Sequence, residues 1–374
     1  MDADASQDPL AAARAILRML LKGMVEKNAS DLHLSVGAPP SLRIDGKLLP
    51  VRSPPLTRVD TAQMAQCILT AAQERQLTDG REIDLSFDFE GMARFRGNVF
   101  LQKGEISLAL RQIPIRIQSV QDLGLPPVLA ELARRPRGLV LITGPVGSGK
   151  STTLAALLDQ MNRERHGHIV TVEDPIEFLH HHQKCIINQR EVGADTQSFQ
   201  AALKYVLRQD PDVVFIGEMR DLETIEATLT ISETGRLALA TLHTNSAVHT
   251  INRIIDVFPA HKQDQIRSQL SLTLEGVICQ TLLPRIGGGR VMAMEILIPN
   301  PAVRNLIREQ KVHQIYSSMQ TGRQHSGMQT LNHSLADLVL KKLVTIEDAL
   351  ATSSDPAELE MLLTSPAGNK KPNV

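Results

Sequence analysis

Leu139-Val140-Leu141-Ile142-Thr143-Gly144-Pro145-Val146-Gly147-Ser148-Gly149-Lys150-Ser151-Thr152-Thr153-Leu154 reads as a strand, a glycine loop and the opening of a helix that runs on through Ala155 to Leu158. Gly144 to Ser151 matches the spacing G-x-x-x-x-G-K-[ST], in which glycines let consecutive backbone N–H groups turn inward around phosphate oxygens. The helix that follows adds unpaired amides and the positive end of its dipole, so an anion is favoured there before any side chain acts. In this pattern Lys150 reaches the β- and γ-phosphates and the Ser151 hydroxyl sits on magnesium. The expected cofactor-binding set is Gly144, Pro145, Val146, Gly147, Ser148, Gly149, Lys150, Ser151 and Thr152, and the expected ligand is a nucleoside triphosphate with Mg2+.

The totals bound the rest. With 374 residues the chain is long enough for two or three domains. Its 40 basic and 41 acidic side chains leave a net charge of −1, so no global field draws it to nucleic acid or anionic lipid. There is no Trp, with two Tyr and eight Phe, which leaves few platforms for stacking bases. Cys67, Cys185 and Cys279 are scattered without a CxxC pair, arguing for a reduced cytoplasmic setting rather than disulfides or a zinc ribbon. No signal peptide and no membrane-spanning run is read, so membrane contact is expected to go through a partner.

Before the loop, residues 1–115 read as a small α+β domain. Leu10, Ala13, Leu17, Leu20, Leu21 and Met24 recur at helical spacing, and strands follow over 31–36 and 41–51, the second broken by the hairpin turn Asp45-Gly46. One helix is expected over 61–77, then alternating strands over 82–90, 93–101 and 105–112. With a turn at Lys103-Gly104, Arg96 lies opposite Arg111 on an exposed face. Like charges so placed cost up to about 1 kcal/mol, so they either serve an anion or are two solvated arginines. Residues 116–137 read as a linker with a short helix.

After the loop, Ile169-Val170-Thr171-Val172 runs into Glu173-Asp174-Pro175-Ile176-Glu177, placing three carboxylates at a strand end where an open α/β sheet presents ligand groups. Val213 to Ile216 ends in Gly217-Glu218-Met219-Arg220-Asp221. Gly217 stands where many phosphate-loop enzymes place a magnesium-binding Asp, so Glu173, Asp174 and Glu177 are expected to join Ser151 as metal ligands. Glu218 is then left to orient or deprotonate the attacking water. Leu237 to Thr241 delivers His243 to the same edge, either as a γ-phosphate sensor or as a structural histidine. Adjacent His180, His181 and His182 cannot all face one ion, and they read as a polar loop.

Together, Val172-Glu173-Asp174-Pro175-Ile176-Glu177, Ile216-Gly217-Glu218-Met219-Arg220-Asp221 and Thr241-Leu242-His243-Thr244 resemble the Asp box, atypical Walker B and His box of the secretion and type IV pilus ATPase superfamily. The resemblance implies a PAS-like domain followed by a RecA-like P-loop ATPase core over 138–300; after it, helical spacing predicts a C-terminal helical region over 301–365, and the short, polar, charged stretch 366–374 reads as a disordered tail. The resemblance further implies a homohexamer that hydrolyses ATP, with Glu218 as catalytic glutamate, His243 beside it, and Arg96 and Arg111 reaching the γ-phosphate. The partner it implies is an inner-membrane pilus platform protein at the pilus base.

Within the superfamily, Ala302-Val303-Arg304-Asn305-Leu306-Ile307-Arg308-Glu309 resembles a motif of the retraction branch, with Val303 in place of Ile. As physics it is an amphipathic helix started near Asn300-Pro301, with Val303, Leu306 and Ile307 on one side and Arg304, Asn305, Arg308 and Glu309 on the other. Extension and type II secretion ATPases usually carry a long extra N-terminal domain and a four-cysteine motif, and neither is read in this sequence, so the retraction branch is the expectation. The alternatives are an accessory retraction ATPase or a related secretion or extension ATPase, a nucleic-acid translocase, which the charge balance disfavours, and a nucleotide-gated adaptor.

Overall fold

A computed structural model describes residues 10–364, apart from 45, 92 and 114–116 and the side chains of 323–326; the expected tail at 366–374 lies outside the described residues. The chain divides into two compact units, one ending at Arg116 and taking in Glu177–Leu179, the other running from Ile117 to Ile176 and from His180 onward.

The first unit contains α1 (Ala11–Glu26), β1 (Asp31–Leu34), β2 (Ser41–Ile44), β3 (Lys47–Pro50), α2 (Arg58–Gln66), α3 (Ala71–Gly80), β4 (Glu82–Phe89), β5 (Ala93–Gln102) and β6 (Glu105–Ile113). The strands form one antiparallel sheet in the order β3-β2-β1-β6-β5-β4. The helical face of Leu17, Leu20, Leu21 and Met24 packs with Leu32, Leu34, Phe95, Val99, Leu108 and Leu110 as the core. The turn between β2 and β3 brings Ile44 opposite Lys47, with Gly46 at φ 80°; Asp45 lies outside the described residues. The single helix expected over 61–77 is two. Thr57 with Asp60 and Thr70 with Gln73 each make a capping box, and the second restarts the helix.

The second unit contains α4 (Pro127–Ala133), β7 (Gly138–Thr143), α5 (Lys150–Glu164), β8 (Gly167–Glu173), β9 (Cys185–Glu191), α6 (Phe199–Val206), β10 (Val213–Ile216), α7 (Leu222–Glu233), β11 (Leu237–Leu242), α8 (Ala247–Asp256), α9 (Ala260–Thr273), β12 (Leu274–Pro284), β13 (Arg290–Leu297), α10 (Pro301–Arg308), α11 (Ile315–Ser326), α12 (Leu331–Leu340), α13 (Ile346–Thr352) and α14 (Pro356–Thr364). The sheet order is β13-β12-β7-β11-β10-β8-β9, parallel except for the β12–β13 pair. Every residue of β7, β10 and β11 is buried, as two covered faces require of a continuous apolar run. The chain leaves β7 for β8 on one side and returns to its other side at β12, which makes the carboxyl end of β7 a switch point.

Two expected boundaries change. Val120, Leu125, Leu129, Leu132 and Ala133 are buried with Ile142 and Leu157, so the stretch expected as a linker is core of the second unit. Val303, Ile307, Val312, Ile315 and Met319 pack into the central cluster, so the region over 301–365 is not separate from it. Only a smaller cluster around Leu335, Val344 and Leu359 lies under the last helices, and it too includes Leu283 and Ala293 of the sheet.

Candidate active site

Gly144 leaves β7 at φ 141°, with its Cβ position blocked by the Gln280 carbonyl oxygen of β12 and 2.7 Å from Ser148 Oγ. Only glycine fits, and the fit brings the loop backbone hard against the sheet. Gly149 caps α5 in the left-handed region, and Lys150 opens the helix. The Lys150 ammonium donates to the carbonyls of Gly144 (2.7 Å) and Pro145 (3.0 Å), so it is held over the loop. A tight backbone cradle, a fifteen-residue helix behind it and a lysine across it suit a nucleotide's phosphates. Ser151 stands in the first turn of α5, where a magnesium ion on those phosphates would be held.

Gln280 is 1% exposed and donates from Nε2 to Thr153 Oγ1 at 2.7 Å, tying α5 to β12 beneath the loop. Sequence reasoning passed over it. Its signal was one amide in the apolar run Val277-Ile278-Cys279.

The three expected acidic ligands do not gather. Glu173, at the end of β8, is buried, and its Oε1 accepts from Thr171 Oγ1 (2.6 Å) and Gln189 Nε2 (3.1 Å). Asp174 and Glu177 are exposed, and Glu177 falls in the first unit. Among the described residues no three His, Cys, Asp or Glu side chains group as a metal site. Glu191 of β9, which the sequence did not single out, is also buried and accepts from the Ile176 backbone N–H at 3.1 Å, fixing the loop after Glu173. His180, His181 and His182 do lie in a loop, but His180 is half-buried with its Nδ1 shielded from solvent, and burial pushes its imidazole down to about 4.

The glycine after β10 has a steric cause. A Cβ on Gly217 would sit 3.1 Å from the Val172 carbonyl oxygen and 3.2 Å from Glu173 Cα, so an acid there would press on the backbone of β8. The carboxylate comes one residue later. Glu218 Oε1 lies 3.0 Å from His243 Nε2, and Oε2 lies 2.7 Å from the Arg220 guanidinium. Burial pushes the Glu218 carboxyl up, but Arg220 and His243 outweigh it and hold it below the usual glutamate range. Because β11 lies between β7 and β10, His243 stands at the same sheet edge as the glycine loop and Glu218. The Thr241 hydroxyl donates to the Gly217 carbonyl, and Met219 N–H donates to the Thr241 carbonyl at 3.0 Å, so the two strand ends are cross-tied. Asp221 takes a structural part, capping α7 through the Thr224 N–H at 2.8 Å.

In the first unit Arg96 and Arg111 are direct cross-strand partners, as the alternation predicted. In the eight-residue motif, α10 buries Val303 and Ile307, half-buries Leu306 and is capped by Asn300 accepting from the Val303 N–H at 2.9 Å. Ala302, Asn305, Arg308 and Glu309 are exposed. Arg304 differs from expectation. It donates to the carbonyls of Ser271 (2.9 Å) and Leu272 (3.2 Å) and pairs with Glu275 at 2.9 Å, so it clamps the end of α9 to β12 instead of facing solvent freely.

A family model described as Type II/IV secretion system protein matches residues 6–287. The chain is 49% identical over 337 residues to the type IV pilus retractation ATPase PilT of Pseudomonas aeruginosa, covering 90% of this chain and 98% of that protein. It is 40% identical over 345 residues to the type IV pilus ATPase PilU of the same organism, covering 92% and 90% respectively. A crystal structure of the pilus retraction motor PilT with bound ADP matches with a TM-score of 0.87 at 50% identity, covering 92% of this chain and 98% of that one. The shared architecture is an antiparallel-sheet domain followed by a P-loop ATPase domain. No helix among the described residues is long and apolar enough to cross a membrane. By its matched span, its glycine loop and the Glu218–His243 pair beside that loop, the chain belongs to the type II/IV secretion system protein family.

Proposed function

We propose that this chain is a motor ATPase that hydrolyses ATP to ADP and phosphate and uses the energy to retract type IV pili, the action behind twitching motility. The observation that carries the reading is the Glu218–His243 pair, held at 3.0 Å on the sheet edge that also bears the glycine loop, in a chain 49% identical along nearly all of PilT. The loop and the N-terminus of α5 bind the triphosphate, and Lys150 neutralises its terminal oxygens. Ser151 would hold Mg2+, which would screen phosphate charge when bound. Glu218 orients the attacking water and takes its proton, and His243 senses the terminal phosphate through the carboxylate it shares.

Six copies form a ring in which Arg96 and Arg111 of one subunit complete the site of a neighbour, where an arginine finger is worth about 10³–10⁵ in rate. The ring acts in the cytoplasm against the inner-membrane platform protein at the pilus base, with the exposed polar face of α10 as the coupling surface. A PilU-like accessory ATPase is a further partner. Nucleic acid is not a substrate on this reading, given the near-zero net charge.

Purified Lys150→Ala and Glu218→Ala proteins should release phosphate ~10²-fold or more slower than wild type, and neither should restore retraction to a deletion strain. Full turnover by Glu218→Ala overturns the mechanism. A deletion strain that still retracts its pili would make the chain the accessory ATPase instead, a reading its 40% identity to PilU supports less than its 49% identity to PilT supports the first.

A further inference from the structure

We propose that Asp31 is a positioning residue for Arg111: its carboxylate grips the guanidinium at Nε and aims the Nη edge outward, toward a phosphate on a neighbouring subunit. The inference rests on the reading that Arg111 serves ATP hydrolysis in trans.

The strand register lays one row of side chains across the sheet of the first unit. Asp31 of β1 lies opposite Arg43 of β2 on one side and Arg111 of β6 on the other. Arg111 in turn lies opposite Arg96 of β5, and Arg96 opposite Ser86 of β4. Three guanidinium groups thus share a row with one carboxylate. Like charges paired across strands repel, so Arg96 by itself would push Arg111 aside.

The carboxylate is anchored and its partner is not. The Asp31 side chain is 12% exposed and that of Arg111 is 67% exposed. Asp31 Oδ2 accepts from Ser30 Oγ at 2.7 Å and lies 3.6 Å from Arg43 Nε, while Oδ1 accepts from Arg111 Nε at 2.8 Å. The ion pair itself adds little to stability with one member so exposed. Its geometric effect is larger. A guanidinium has five N–H donors, and giving Nε–H to a carboxylate leaves the Nη1/Nη2 edge, which can still meet a phosphate bidentately. Asp31 therefore fixes the arginine at its neck and leaves its head for an anion.

Steady-state ATP hydrolysis by Asp31→Ala, Asp31→Glu, Arg111→Ala and the Asp31→Ala/Arg111→Ala double variant tests this. Asp31→Ala should lower kcat by ~10-fold or more with KM for ATP within about twofold, and Asp31→Glu should recover most of the loss. The double variant should be no slower than Arg111→Ala alone, because Asp31 acts through Arg111. A wild-type rate for Asp31→Ala beside a slow Arg111→Ala overturns the role of Asp31 and leaves the trans arginine intact. Losses that multiply in the double variant also overturn it, by showing that Asp31 acts elsewhere. A wild-type rate for Arg111→Ala overturns the finger reading itself. Should Asp31→Ala fail to fold, the near-isosteric Asp31→Asn keeps the acceptor without its charge; a kcat equal to wild type in that variant overturns electrostatic positioning, and a loss that vanishes in the Arg111→Ala background supports it.

Discussion

Glu218 has both carboxylate oxygens engaged, one by His243 and one by Arg220, and this fixes its protonation as well as its orientation. Its carboxyl is held below the ordinary glutamate range, so on the proposed mechanism it stands ready as a base near neutral pH, and the acid limb of the kcat profile should report its protonation. Arg220→Ala removes a cation that favours the carboxylate, so the Glu218 carboxyl should rise and the acid limb should move to higher pH. A pH–rate profile measures this, and a limb that stays fixed or moves down would show that Arg220 does not set the charge of Glu218. Glu218 itself was legible because its motif is contiguous. Its partners were less so, since Arg220 is two residues away but His243 is set by strand order, and Gln280 and Asp31 reach their partners only through long-range packing.

At the scale of the element, α10 separates a packed side from an exposed one. The sequence marked its start at Asn300-Pro301 and its apolar side, both of which the structure keeps. It did not distinguish the two arginines, because a helix period says which way a side chain leaves the axis and not what waits there. Arg304 meets two carbonyls at the end of α9 and the carboxylate of Glu275, whereas Arg308 is exposed with Asn305 Oδ1 at 3.3 Å. Arg304→Ala should therefore destabilise the fold by ~1.5–3 kcal/mol, the range for charged hydrogen bonds. Arg308→Ala should stay within about 0.5 kcal/mol of wild type, as surface changes do. Thermal unfolding of the two proteins checks the contrast, and Arg308→Ala should also keep its ATPase activity while failing to restore retraction. The split of the expected 61–77 helix has a local cause of the same kind: Thr70 and Gln73 carry a capping signature in plain sequence, and the capping box they form restarts the helix.

For the whole molecule, the question is whether one subunit's arginines serve another's Glu218. Arg111→Ala and Glu218→Ala proteins should each be nearly inactive alone, yet a ring assembled from both contains interfaces where an intact arginine meets an intact glutamate. Mixing them should recover phosphate release that neither has by itself, and the absence of recovery in verified mixed rings would place both residues in one subunit's site. Sequence alone determined the glycine loop, the acid displaced to Glu218, the alternation that sets Arg96 against Arg111 and the apolar face of α10, because each depends on residues close in the chain. Tertiary structure decided that Glu173 is tied into the sheet, that the stretch after residue 116 is core, that Gly217 has no room for an acid and that Asp31 holds Arg111. Those outcomes depend on which strands become neighbours and in what register, and the free energy that selects them comes from burying surfaces distant in sequence, which no local pattern records.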